Sequence, residues 1–214
     1  MNAYTKIETV YKRDIDGTKK LIEGNFRNEA VEFLKDKDWI FTEKVDGTNI
    51  GIVWDGHKVS YQGRTERAQI PAHLMNKLIT IFGTNEAEEM FEQTFGEKNV
   101  VLFGEGYGAK IQKGGGNYIP DDCGFILFDV YMADSDTWLK RDSAYEVAMA
   151  FGVPIVPVVM VGTIEKAVDF IKGQPKSLIN SAHEMEGVVG RPVVDFYDRN
   201  HDRLIVKIKV KDFE

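Results

Sequence analysis

The chain has 214 residues, 43% of them hydrophobic and 29% charged, and 27 Lys and Arg against 34 Asp and Glu leave a net charge of −7. At roughly 100–200 residues per domain this length fits one domain or two small ones, with a core large enough to need no disulfide or metal staple. The single cysteine, Cys123, excludes an internal disulfide and a Cys-based zinc cluster, and the acidic balance argues against a protein that coats nucleic acid through bulk charge. A local basic site that grips a few phosphates stays open. The N-terminal segment lacks the apolar stretch of a signal peptide, and no run of about 18 apolar residues is present. The expectation is a cytoplasmic protein with no membrane contact.

In chain order, NEAVEFLKDK at 28–37 reads as a short amphipathic helix, and WIFTEKV at 39–45 and IGIVW at 50–54 alternate as half-buried strands do. Asp55-Gly56 predicts a two-residue hairpin turn into HKVSYQ. Pro71 and Gly83 bracket a helix over 71–82, and a Glu-rich helix over 85–95 closes at Gly96 with Glu86, Glu88, Glu89 and Glu92 on a solvated face. Strands follow at 98–104 and 124–132, separated by a loop dense in glycine (Gly114, Gly115, Gly116). A helix over 142–151 capped by Gly152, a strand interrupted by Pro154 and Pro157, a helix over 163–172 and strands at 186–190 and 203–210 complete the pattern. Hairpins with scattered helices predict an α+β fold built on antiparallel sheets.

Five segments carry chemistry. Lys44 stands at a strand end just before the Asp46-Gly47 turn, where a backbone without Cβ lets a phosphate approach. A lysine there becomes a nucleophile once neighbouring cations or desolvation remove its proton, although a surface lysine beside a turn reads equally well from the tetrad alone. Glu105 lies between Gly104 and Gly106, placed either to accept hydrogen bonds from a ribose or to serve as a turn acid. Over 125–131 strict alternation puts Phe125, Leu127 and Asp129 on one face and Ile126, Phe128 and Val130 on the other. An exposed ring there can stack on a purine for roughly 1–3 kcal/mol, core packing being the commoner use. Glu186 opens a strand and suits a hard divalent cation carried with phosphates. Lys207 and Lys209, two apart in a strand, share a face and repel unless an anion lies between them; an edge strand decorated with lysines is the alternative.

Taken in order, these segments resemble the covalent nucleotidyltransferase superfamily of RNA ligases, DNA ligases and mRNA capping enzymes, and most closely its RNA ligase 2-like family. Lys-Val-Asp-Gly-Thr-Asn at 44–49 matches the nucleophile motif, Gly63-Arg64-Thr65 the arginine motif, and Phe-Gly-Glu at 103–105, Phe-Asp at 128–129, Glu-Gly-Val-Val at 186–189 and Lys-Ile-Lys at 207–209 the remaining motifs. The resemblance implies a nucleotidyltransferase fold, with antiparallel sheets and flanking helices around a nucleotide cleft. It implies ATP and Mg2+ (or Mn2+) as cofactors and RNA ends, nicked duplex or single strand, as partners. Lys44 would hold AMP as a phosphoramidate, Lys207 and Lys209 would bind the α-phosphate and ease the loss of the Lys44 proton, and Glu186 would help to hold the metal. Glu43 would lie beside the adenine, Arg64 would contact the nucleotide or RNA end, Glu105 the ribose, and Phe128 would stack on adenine, with Phe125 as its substitute. Asn49 stands where DNA ligases and capping enzymes more often carry Arg, which favours an RNA ligase joining 5′-phosphate and 3′-hydroxyl ends.

The last motif lies close to the end of the sequence, so residues 1–214 are expected to form a single nucleotidyltransferase domain with no appended OB-fold or C-terminal ligase domain. Extra RNA contacts would then come from Lys12, Arg13, Lys19, Lys20, Lys110 and Lys113, from a homo-oligomer or from a partner protein. His57, His73, His183 and His201 show no metal-ligand spacing and receive no role. The alternatives are a nucleotidyltransferase using GTP or NAD, one acting on DNA, and a ligase-derived non-catalytic module that binds nucleic-acid ends. The last requires a lost nucleophile or metal carboxylate, and neither is missing.

Overall fold

A computed structural model describes residues 4–65, 67–198 and 202–214; His201 lies outside them. Two compact units result, one of Thr5–Val45 with Pro157–Glu214 and the other of Asp46–Val156 with Tyr4.

The first unit opens with β1 (Glu8–Thr9), β2 (Tyr11–Arg13) and β3 (Leu21–Phe26), a stretch for which the sequence pattern predicts nothing. Asn28 caps α1 (Glu29–Phe33) by accepting from the Val31 N–H at 2.9 Å, and the helix is shorter than predicted. Strand β4 (Trp39–Glu43) leads to Lys44, and β10 (Val158–Gly162), α5 (Ile164–Lys172), β11 (Gly187–Pro192) and β12 (Val206–Lys209) come from the C-terminal part. The sheet order is β1-β12-β11-β4-β10, antiparallel except where β1 pairs parallel with β12. One face is apolar: Trp39, Phe41, Val188, Val206 and Ile208 pack with Val10, Val31, Ile164, Val168 and Ile171. By strand alternation Lys207 and Lys209 stand on the opposite face, as their spacing predicts.

The second unit holds the sheet β6-β5-β7-β8-β9, wholly antiparallel, formed by β5 (Thr48–Trp54), β6 (Val59–Gly63), β7 (Val100–Gly108), β8 (Cys123–Met132) and β9 (Thr137–Trp138). Helices α2 (Ala72–Phe82), α3 (Asn85–Phe95) and α4 (Arg141–Ala150) cover its apolar face, where Ile50, Ile52, Leu74, Leu78, Phe82, Leu102 and Phe125 are fully or almost fully buried. The predicted two-residue turn is instead a four-residue loop, Asp55 to Lys58, because Trp54 pairs with Val59. The Asp55 carboxylate accepts from the His57 and Lys58 N–H groups and so stabilises the longer turn, and only Gly56 has a positive φ, of +91°.

Two further departures matter for the site. Strand β7 runs on through Gly104-Glu105-Gly106, so Glu105 is a strand residue opposite Asn49 and not a turn acid. A bulge in β8 leaves Phe128 without a cross-strand partner: Leu127 faces Gly104 and Asp129 faces Phe103. The extra residue reverses the alternation, so Val130 joins Phe125 and Leu127 in the core and Asp129 leaves their face. Among the described residues no helix is long and apolar enough to cross a membrane.

Candidate active site

In the first unit, Lys44 follows the last residue of β4 and its N–H donates to the Gly187 carbonyl at 2.9 Å, so the end of β4 stays locked to β11. Gly187 pairs in turn with Lys209 on β12. A Cβ on Gly187 would collide with the Ile208 carbonyl and lie 2.7 Å from the Lys209 Cα, so only glycine lets β12 come this close. Lys44, Gly187 and Lys209 therefore form one row across three strands.

Glu186 completes that row. Its Oε2 meets the Lys44 Nζ at 2.6 Å and its Oε1 meets the Lys209 Nζ at 2.7 Å, with side-chain exposures of 23% for Lys44, 18% for Glu186 and 17% for Lys209. Burial pushes the Glu186 carboxyl up, but the Lys44 and Lys209 ammoniums outweigh it and hold it below the ordinary glutamate value. Lys207 lies one row along, opposite Val189, half-buried on the same face as Lys209. Burial first, then the charges of Lys209 and Lys44, push its ammonium below the ordinary lysine value; Glu8 opposes this and Lys6 adds to it. A carboxylate bridging two lysines with a third nearby is a half-buried cationic patch, suited to a polyanion. Among the described residues no group of three or more His, Cys, Asp or Glu is placed to hold a metal. One carboxylate is nevertheless the donor set that a cation carried on phosphates requires.

The structure does not bring Glu43 into this row. Its carboxylate is 1% exposed, accepting from the Ser177 hydroxyl at 2.5 Å and the Leu178 N–H at 2.7 Å. Ser177 Oγ also accepts from the Ile179 and Asn180 N–H groups, so Glu43 organises the segment that runs on to Glu186. Ser177 went unnoticed in the sequence because no local pattern marks it.

The second unit carries the other motif residues. Asn49 and Glu105 are directly opposed across β5 and β7, and the Asn49 Oδ1 is buried without a hydrogen-bond partner. Gly47 is pressed onto this pair, since a Cβ there would meet the Gly106 carbonyl and lie 2.7 Å from the Glu105 Cγ. The Tyr118 hydroxyl accepts from the Asp46 N–H at 3.3 Å, which seats the glycine-dense segment beside the same turn. Phe128 is half-buried and Phe125 fully buried, 1% exposed in the core, which favours Phe128 as a ring available to a ligand. Arg64 is exposed just beyond β6.

The α+β architecture is shared with solved RNA ligases. A Naegleria gruberi RNA ligase variant with AMP and Mn matches at 22% identity and a TM-score of 0.63, over 83% of this chain and 51% of that one. A variant with ATP and Mn matches at 20% identity and 0.63, over 97% and 63%, and the enzyme with PPi at 19% and 0.63, over 96% and 61%. The chain thus spans about half to three-fifths of the length of these ligases. No curated protein matches. The family model described as RNA ligase matches residues 37–209, and the chain belongs to the RNA ligase family.

Proposed function

We propose that the chain is an ATP-dependent RNA ligase that joins 5′-phosphate and 3′-hydroxyl ends through a lysyl-AMP intermediate. The observation that carries this reading is the row of Lys44, Glu186 and Lys209, held by ion pairs of 2.6 and 2.7 Å, in segments whose sequence resembles the nucleotidyltransferase motifs. The motif residues fall in both compact units, and we assign them to one nucleotidyltransferase module.

Lys44 Nζ, as the free amine, attacks the α-phosphorus of ATP. A P–N bond forms, the P–O bond to pyrophosphate breaks, and the amine loses its proton. A 5′-phosphate oxygen of RNA then displaces Lys44 from AMP, and the 3′-hydroxyl displaces AMP in the joining step. Such transfer depends on positioning and charge neutralisation more than on acid–base work. Lys207 and Lys209 supply cations for the α-phosphate. A divalent cation, Mg2+ or Mn2+, would be held by Glu186 and would neutralise phosphate charge. Glu105 takes the ribose, Phe128 the adenine, and Asn49 and Arg64 the nucleotide or the RNA end. For Glu43, an adenine contact requires its carboxylate to leave Ser177 and Leu178. RNA repair in the cytoplasm is part of the same proposal, consistent with the free, buried Cys123.

The test is intact-mass analysis after exposure to ATP and Mg2+. The expected result is one added AMP, mapped to the peptide of Lys44 and lost in Lys44→Ala, whose fold is retained. Labelling by GTP or NAD in place of ATP, or persistent labelling of Lys44→Ala, overturns the reading.

A further inference from the structure

Tyr4 is 9% exposed although it stands at the start of the described chain. Its ring meets Phe128, Phe103 and Trp138 edge to face, with centroids 4.9, 5.1 and 5.5 Å away and interplanar angles of 71°, 61° and 86°. Its hydroxyl donates to the Asp129 Oδ2 at 2.5 Å, and Asp129 is itself 5% exposed. A buried carboxylate requires such partners, so the hydroxyl is anchored while the ring edge bears on its neighbours.

The bulge explains why that support matters. Phe128 is the residue that the β7–β8 ladder leaves unpaired, so strand register does not set the direction of its ring. Packing must do so, and Tyr4 provides an edge-to-face contact of the kind that orients aromatic pairs.

We propose that Tyr4 is a positioning residue whose ring fixes the Phe128 ring for stacking on the purine of the nucleotide donor. This rests on the reading of Phe128 as the base-stacking ring. Tyr4 acts through Phe128 and does not touch the donor.

Two measurements test it. The first needs no nucleotide: 4-fluorophenylalanine placed at Phe128 reports its surroundings by fluorine NMR. Tyr4→Ala should displace the resonance, and Tyr4→Phe, which keeps the ring, should hold it near the parent position. An unchanged resonance in Tyr4→Ala overturns the proposal. The second is single-turnover formation of lysyl-AMP. Tyr4→Ala should raise the ATP concentration for half-maximal rate roughly three- to tenfold, the scale of one aromatic pair, while the maximal rate changes less than about twofold. Tyr4→Phe should recover most of this loss. In a Phe128→Ala background, Tyr4→Ala should add less than about twofold; a full additive penalty overturns the proposal. Should Tyr4→Ala fail to fold, Tyr4→Leu keeps the bulk without the aromatic edge and takes its place in both assays. Should the parent form no lysyl-AMP, the reading of the site fails, and the fluorine resonance still decides whether Tyr4 sets the Phe128 ring.

Discussion

Glu186→Gln keeps the size and polar atoms of the side chain and removes the charge that Lys44 and Lys209 share. All three side chains are less than a quarter exposed, so water replaces little of what is lost. Removing one partner of a buried pair costs about 3–5 kcal/mol. The glutamine carbonyl still accepts one ammonium hydrogen bond, worth about 1–1.5 kcal/mol, and residual exposure lowers the cost further, leaving about 2 kcal/mol. At about 2–4 °C per kcal/mol for a chain of this size, the variant should melt about 4–8 °C below the parent at neutral pH. The pH dependence follows from the lowered carboxyl value. Because the folded value lies below the unfolded value of 4.5, the stabilisation is fully present above 4.5 and is lost as pH falls through the folded value. Glutamine does not titrate, so the gap between parent and variant should close on acidification. Thermal circular dichroism at low salt from neutral pH to about pH 3 measures it. A gap that is absent at neutral pH, or persists unchanged in acid, refutes the ion-pair account.

Lys207→Ala removes a cation whose field reaches Lys44 and leaves Lys209 as the second cation there, while Glu8 and Lys6 lose their shared neighbour. Lysyl-AMP formation should slow, because a cation that would neutralise the α-phosphate is lost; single-turnover rates at saturating ATP check this, and an unchanged rate refutes it. Glu43→Gln weakens the hold on Ser177 and Leu178 and should cost about 1–3 kcal/mol. Ser177→Ala should lose part of the same energy, so the double variant should melt less than additively below the parent, and full additivity would show that the two residues act separately.

Local pattern carried much of this protein. Gly96 closes α3 over Asn85–Phe95 as the sequence predicts, and Lys207 and Lys209 share a face because a strand repeats every two residues. The order of the motifs was likewise readable from the chain, and it pointed to the family that residues 37–209 match.

Contacts between distant segments were decided only by the tertiary structure. Lys44 and Glu186 are 142 positions apart, and their ion pair depends on β11 lying between β4 and β12 in a register that no local period encodes. The short strands β1 to β3 carry too few residues for a period to register. Glycines on either side of Glu105 resemble a turn in sequence, but they admit Phe125 at Gly104 and Leu74 at Gly106, and the strand continues through them. The β8 bulge depends on its partner strand, so strict alternation misplaced Val130 and Asp129. Glu43 and Lys44 are adjacent in sequence, yet one serves the buried Ser177 segment and the other the lysine row. Successive residues of an extended chain face opposite ways, and packing on each side determines what they meet.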